Sequence, residues 1–511
     1  MSYYEQKIPP VRDQRLQLAD SFSGRACDLL GCAKEGCLVR KNRAFWQANA
    51  CQMSLTLMMA GTVANSVVIV HSPGGCGAMM LPIHAQSNKG HVQRGHAAVP
   101  VNWLSTDLNE SDVIGGGERK LKEAIEYADR EFRPEIIFVV STCAPNIIGD
   151  DVAEVIEQAK ENISAKVAGL HCPGFKSRVV ASAYDAFYHG LLKDIPFEIE
   201  PWKDYVPLDP ADPKYGMEQA KENYKKAHTV NLWNATSIGY QDEDEIKRLL
   251  NALGLNVRIF AEYSTLDDYR KISHAALNIS MCDVHDDYML KYLQEKYGMP
   301  YYIAGMPIGF KETRKWLHGI ARHFGLEREA EKIADYEEKI AAEAIQPFLP
   351  GVKGKRALIC GGVIRSGTEA MALAELGMDI IGIKAYHYDD NAQQVYEVVA
   401  EKLPDVHVAV STQIFELTHQ IKSLKPDIVI THNGTHGSVA KLGYPSIQLF
   451  SADGAFFGYT GFFQILCRID FALKNTNYEK RLSQRVRLPY RDWYWQADAF
   501  SFIKEQGKEC K

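Results

Sequence analysis

The chain has 511 residues, too many for one ordinary hydrophobic core, and its length suggests roughly three domains. It is 46% hydrophobic and 24% charged, the composition of a globular protein without low-complexity tracts or repeats. A net charge of -6 gives no reason to expect nucleic acid or an anionic membrane as the main partner. No apolar run reaches a membrane span and the N-terminus lacks a signal-peptide pattern, so a cytoplasmic location is expected. Eleven cysteines, an odd number scattered along a long chain, argue against a disulfide framework and leave metal, redox or burial.

Residues 1–50 read as a polar, irregular extension, with Cys27, Cys32 and Cys37 spaced five apart in no defensible cluster pattern. From Cys51 the chain repeats strand, glycine-bearing turn, helix. Val67–Val70 leads into His71-Ser72-Pro73-Gly74-Gly75-Cys76-Gly77, Ile136–Val140 into Ser141-Thr142-Cys143, and Val167–Leu170 into His171-Cys172-Pro173-Gly174-Phe175. Gly115-Gly116-Gly117 opens a helix over Glu118–Phe132. Ligands of open α/β sheets gather at the carboxyl ends of strands, and three of these strands end in cysteine. A stretch with Pro201, Pro207, Pro210 and Pro213 reads as a linker.

The alternation then restarts. His228–Leu232 leads through Asn234–Tyr240 to a helix over Asp242–Leu253, followed by strands at Val257–Phe260 and Ala276–Ser280 and by Met281-Cys282-Asp283. A charged helical region, 311–345, precedes a third round: a strand at Lys355–Cys360, a turn over Gly361-Gly362-Val363-Ile364-Arg365-Ser366-Gly367 and a helix over Glu369–Gly377. Further strands fall at Ile380–Ile383, Val406–Val410 and Ile428–Thr431, before helix-rich residues 461–511. The reading is an α/β fold of three consecutive Rossmann-like domains with parallel sheets: an extension 1–50, then 51–215, 216–350 and 351–511.

There is no Walker A pattern and no G-x-G-x-x-G after a strand, so ATP hydrolysis and the usual dinucleotide site are not expected. Zinc spacing is absent too. A lone cysteine is more often buried and inert than a ligand. Cys51, Cys76 and Cys143 differ, since thiols from several loops meeting at one sheet edge suit an iron–sulfur cluster.

The order Cys51, His71–Gly77, Asp112–Leu121 with its three glycines, then Cys143 with Ile147–Asp151, resembles the nitrogenase component 1 family, and most closely its molybdenum–iron protein α subunit. Cys172-Pro173-Gly174-Phe175, the segment Asn278–Cys282 followed by Glu295–Pro300, and Gly354-Lys355-Arg356 with Gly361-Gly362 extend the resemblance over residues 45–475. The resemblance implies that Cys51, Cys76 and Cys143 supply half of a P-cluster-type 8Fe-7S or related iron–sulfur cluster, shared with a β-like subunit in an α2β2 heterotetramer. It implies that Cys282 ligates a larger nitrogenase-type iron–sulfur cofactor between domains, that Gly361 and Gly362 lie against it, and that Arg365 approaches it, about one place later than the family's arginine. A separate ATP-hydrolysing iron protein would deliver electrons.

The departures concern the substrate side. Phe457 stands where the family has its molybdenum-side histidine, Val180 and Tyr184 replace its glutamine and histidine after the Gly-Phe motif, and His84 replaces an arginine. The homocitrate-holding lysine is missing from Asn433-Gly434-Thr435-His436. His387, His432 and His436 are candidates to cap the cofactor, against the commoner reading of a histidine bonded to a neighbouring polar group. True nitrogenase activity is not expected. Within the family the chain is most similar to methylthio-alkane reductases, which cleave a carbon–sulfur bond of small thioethers. A cofactor-assembly scaffold and an alternative-metal nitrogenase are the other readings, and chlorophyllide-type reductases, which lack the segment around Cys282, resemble it less.

Overall fold

The first sheet is built from strands that are apolar on both faces. In the computed structural model it has four parallel strands in the order Asn102–Ser105, Ser66–His71, Ile136–Ser141, Lys166–His171. Every residue of Ser66–His71 and Ile136–Ser141 is buried, as expected where helices cover both faces. Val67 and Ile69 pack with Leu121, Ile125 and Ala159 on one side, while Val68 and Val70 join Leu57 and Phe187 on the other. The described residues are 3–38, 51–95, 101–177, 179–195, 216–233, 239–432, 434–449, 454–498 and 500–503. The proline-bearing linker and most of the Asn234–Tyr240 turn lie outside them.

A second parallel sheet has the order Tyr301–Ile303, Leu277–Ser280, Thr229–Trp233, Asn256–Phe260. The third has five parallel strands, Ser446–Gln448, Ile428–Thr431, Arg356–Gly361, Asp379–Ala385 and His407–Val410, with Phe22–Arg25 added antiparallel at its edge. Among the described residues no helix is long and apolar enough to cross a membrane.

Two sequence readings are corrected. The N-terminal region is not irregular: besides the edge strand, Leu18–Ala19 pairs with Tyr388–Asp389, and the helix Ala26–Lys34 buries Ala26, Leu29 and Leu30. These elements are too short to carry a legible period, and they owe their conformation to the sheet they join. Cys27, on that helix, is exposed rather than buried. Likewise Ile364–Gly367, read as turn, lie inside the helix Val363–Glu375. Gly367 is there for packing, since a Cβ would stand 2.5 Å from Val395 Cγ1.

Candidate metal centres

Because the four strands of the first sheet run parallel, their carboxyl ends share one edge, and the cysteine loops meet there. Ser66–His71 runs into the single helical turn Gly74–Gly77, which carries Cys76; a Cβ on Gly77 would lie 2.6 Å from Ser105 Oγ. Cys143 is the first residue of the helix Cys143–Ile148, and Cys51 caps the helix Gln52–Ala60. Gly174, from the fourth loop, faces both. A Cβ there would stand 3.3 Å from Cys51 Cβ, 3.6 Å from Cys143 Sγ and 3.8 Å from Cys51 Sγ, and its amide donates to Cys143 Sγ at 3.1 Å.

Burial, together with the nearby Cys51 and Cys143, pushes the Cys76 thiol up. Cys172 belongs to the same neighbourhood but is fully buried, and burial pushes its thiol far higher. Its Sγ lies 3.7 Å from Ser141 O, so it reads as a satisfied core thiol. Cys51, Cys76 and Cys143 remain half-exposed. Among the described residues no group of His, Cys, Asp or Glu would hold a single metal ion. Half-exposed thiols gathered at one sheet edge instead fit a cluster whose irons take separate cysteines. The surrounding loops are fixed by His71, fully buried, whose Nε2 meets Asp150 Oδ2 at 3.0 Å and whose Nδ1 meets Thr106 Oγ1 at 3.1 Å; Asp150 Oδ1 accepts the Gly117 amide at 3.0 Å.

The second site lies where the three sheets' surroundings meet. Cys282 caps the helix Asp283–Tyr297 and is only 2% exposed. Its amide donates to Ser280 Oγ at 3.1 Å, and that hydroxyl donates to Asp286 Oδ2 at 2.6 Å. Burial pushes the thiol up to about 12, against the opposing effect of Arg365. Arg365, on Val363–Glu375, bonds His432 through Nη1 and reaches His285 Nε2 with Nη2 at 3.4 Å. Tyr184 stacks on His285, ring centroids 4.4 Å apart. Burial, and then Arg365, hold both imidazoles well below the usual histidine range, so both are neutral.

Gly361 and Gly362 offer open backbone beside these groups: a Cβ on Gly361 would come no nearer than 3.8 Å to His432, and one on Gly362 no nearer than 3.9 Å to Arg365. A thiol beside a guanidinium, neutral imidazoles and bare glycine backbone fits an anionic iron–sulfur group. His285 was not singled out from sequence. Its place three residues after Cys282, in the first helical turn, was the available signal.

The remaining candidates sit as follows. His387 Nε2 bonds Asp389 Oδ2 at 3.2 Å. His436 Nδ1 pairs with Ser446 Oγ at 2.7 Å. Phe457 is fully buried and its amide donates to Asp242 Oδ1 at 2.8 Å. His84 Nδ1 meets Val101 O at 2.9 Å, and half-buried Val180 accepts the Ala183 amide at 3.1 Å. Asn433 lies outside the described residues.

The model of nitrogenase component 1 type oxidoreductases matches residues 51–474. The chain belongs to that family. This family member is 26% identical to the nitrogenase molybdenum-iron protein alpha chain of Methanothermobacter marburgensis, over 84% of the chain and 87% of the relative. It is also 26% identical to the nitrogenase iron-molybdenum cofactor biosynthesis protein NifE of Methanococcus maripaludis, over 90% and 91%. Among solved structures, nitrogenase Cp1 at pH 6.5 superposes with a TM-score of 0.69 at 20% identity, covering 89% of the chain and 93% of that structure. That likeness concerns the α/β fold and its parallel sheets.

Proposed function

We propose that this family member is the α-like catalytic subunit of a nitrogenase-like reductase that cleaves small methylthio-alkanes to methanethiol and a hydrocarbon. The observation supporting this is the presence of two unlike thiol sites in one chain. Cys51, Cys76 and Cys143 stand half-exposed at a sheet edge, while Cys282 is enclosed beside Arg365. The first set would hold this chain's half of a P-cluster-type cluster completed by a β-like subunit, and Cys282 would hold the larger cofactor. When bound, these clusters supply low-potential electrons one at a time.

The net reaction takes two electrons and two protons: the carbon–sulfur bond breaks, sulfur leaves as methanethiol, and carbon gains hydrogen. The electrons come from a separate ATP-hydrolysing iron protein, consistent with the missing Walker A pattern. Arg365 would hold negative charge at the site, and the imidazoles of His285 and His432, kept neutral by burial, add no charge of their own beside it. Tyr184, Val180 and Phe457 in place of polar family residues suit a thioether better than a polar substrate.

The similarity to NifE favours a second reading, a scaffold that holds and passes on an iron–sulfur cofactor. Metal analysis of the purified complex, joined to an assay of ethane or ethylene released from a methylthio-alkane, separates them. Iron with turnover supports the reductase. Iron transferred to another protein without turnover supports the scaffold, and ammonia from dinitrogen would overturn both in favour of a nitrogenase.

A further inference from the structure

Arg12 is fully buried, yet it lies outside the residues matched by the family model. Its guanidinium draws together groups from the surroundings of all three sheets. Nε donates to Asp389 Oδ2 at 2.7 Å, beside the third sheet. Nη1 donates to Val284 O at 2.9 Å and to Asp287 Oδ1 at 3.3 Å, both on the helix that Cys282 caps. Asp185, on the helix Ser182–Asp194 over the first sheet, lies 3.9 Å from Nη1, and the Arg12 amide donates to Ser182 Oγ at 2.9 Å.

Arg15 repeats the pattern, forking onto Asp185 with two bonds of 2.9 Å and reaching Asp287 at 2.9 Å. The flanking residues follow the same seam. Tyr4 packs edge-on against Tyr288 and Tyr292, Lys193 Nζ donates to Lys7 O at 2.9 Å, and Leu18–Ala19 pairs with Tyr388–Asp389.

Cys282 sits behind this seam at 2% exposure, so a cluster-sized group reaches it only if the surroundings of the sheets part. We infer that residues 3–25 are a strap that closes the chamber around Cys282, with Arg12 as its latch. Arg12 is also a positioning residue. Through Asp389 it fixes His387, whose Nε2 bonds the same Oδ2 at 3.2 Å, and through Val284 O it holds the first turn after Cys282. This rests on Cys282 being a cofactor ligand.

The test uses the complex as purified, with hydrogen–deuterium exchange read by mass spectrometry and iron measured per chain. In Arg12→Gln, amide exchange at 3–25 and 283–288 rises at least about tenfold, exchange at 66–71 stays at the wild-type level, and iron falls. Arg12→Lys, which keeps the charge, recovers part of both. Unchanged exchange at 283–288, unchanged iron, or an equal rise across all three sheets would overturn the latch. Should Arg12→Gln not accumulate, Asp389→Asn is measured in the same way, and failure of both shows a group required by the whole fold and overturns it. Cys282→Ala is the control for the underlying reading. If it leaves iron unchanged, the cofactor assignment fails; if it lowers iron and Arg12→Gln does not, the strap alone fails.

Discussion

Gly174 lacks a side chain at the place where one would stand among thiols, and this makes it the sharpest single-residue probe of the first site. A methyl group there would stand 3.3 Å from Cys51 Cβ, tighter than ordinary contact, so Cys51 must give by a few tenths of an ångström while the space between the sulfurs shrinks. Gly174→Ala is expected to leave the melting temperature within a few degrees, on the order of 1 kcal/mol or less, and to lower iron markedly. Cys76→Ala is expected to lower iron as well, and unchanged iron after that substitution would sink the iron–sulfur reading. Proton linkage gives a further check. Burial raises the Cys76 thiol and takes Cys282 to about 12, so each is protonated at neutral pH and must lose its proton to bind iron. Iron uptake by metal-free chain therefore strengthens as pH rises from 6 to 8, measured as iron retained after desalting.

At the scale of elements, the placement of Tyr184 depends on how its helix meets the first sheet. Ser182–Asp194 lies so close to Lys166–His171 that a Cβ on Gly190 would stand 2.5 Å from Leu170 Cδ2 and 2.6 Å from Gly169 O. Backbone cannot yield as a side-chain tip can. Gly190→Ala should destabilise the chain by about 1–3 kcal/mol through overpacking, read by denaturant unfolding, and should push Tyr184 away from His285. Three of the four strands of the first sheet were legible because continuous buried apolar runs are distinctive. Asn102–Ser105, Tyr301–Ile303 and Ser446–Gln448 were not, since edge strands of three or four residues carry no period.

Across the whole molecule, Asp242 ties the loop before Gly458–Lys474 to the helix Tyr240–Ala252. Its Oδ1 accepts the Phe456 and Phe457 amides at 2.6 and 2.8 Å, yet burial raises the carboxyl to about 7. Between the unfolded value of about 4 and this folded value, the native chain holds the extra proton. The stabilisation is full at the acidic end and lost as pH rises through about 7. Melting temperature should thus fall from pH 5 to pH 8 by this contribution. Asp242→Asn keeps the accepting oxygen and removes the proton, so the difference between the two pH values should narrow.

By itself the sequence determined the α/β alternation, the parallel sheets and the family resemblance, because strand hydrophobicity and glycine turns are local properties of the chain. It also named the thiols, since residue type decides what can bind iron. Only the tertiary structure decided which side chains meet. His285 stacks on Tyr184 and faces Arg365 because helices over different sheets meet there, a relation no spacing records. The same holds for Arg12, a polar residue in a stretch that reads as irregular. Its burial follows from three carboxylates that lie 173, 275 and 377 residues further along the chain and converge only in the fold.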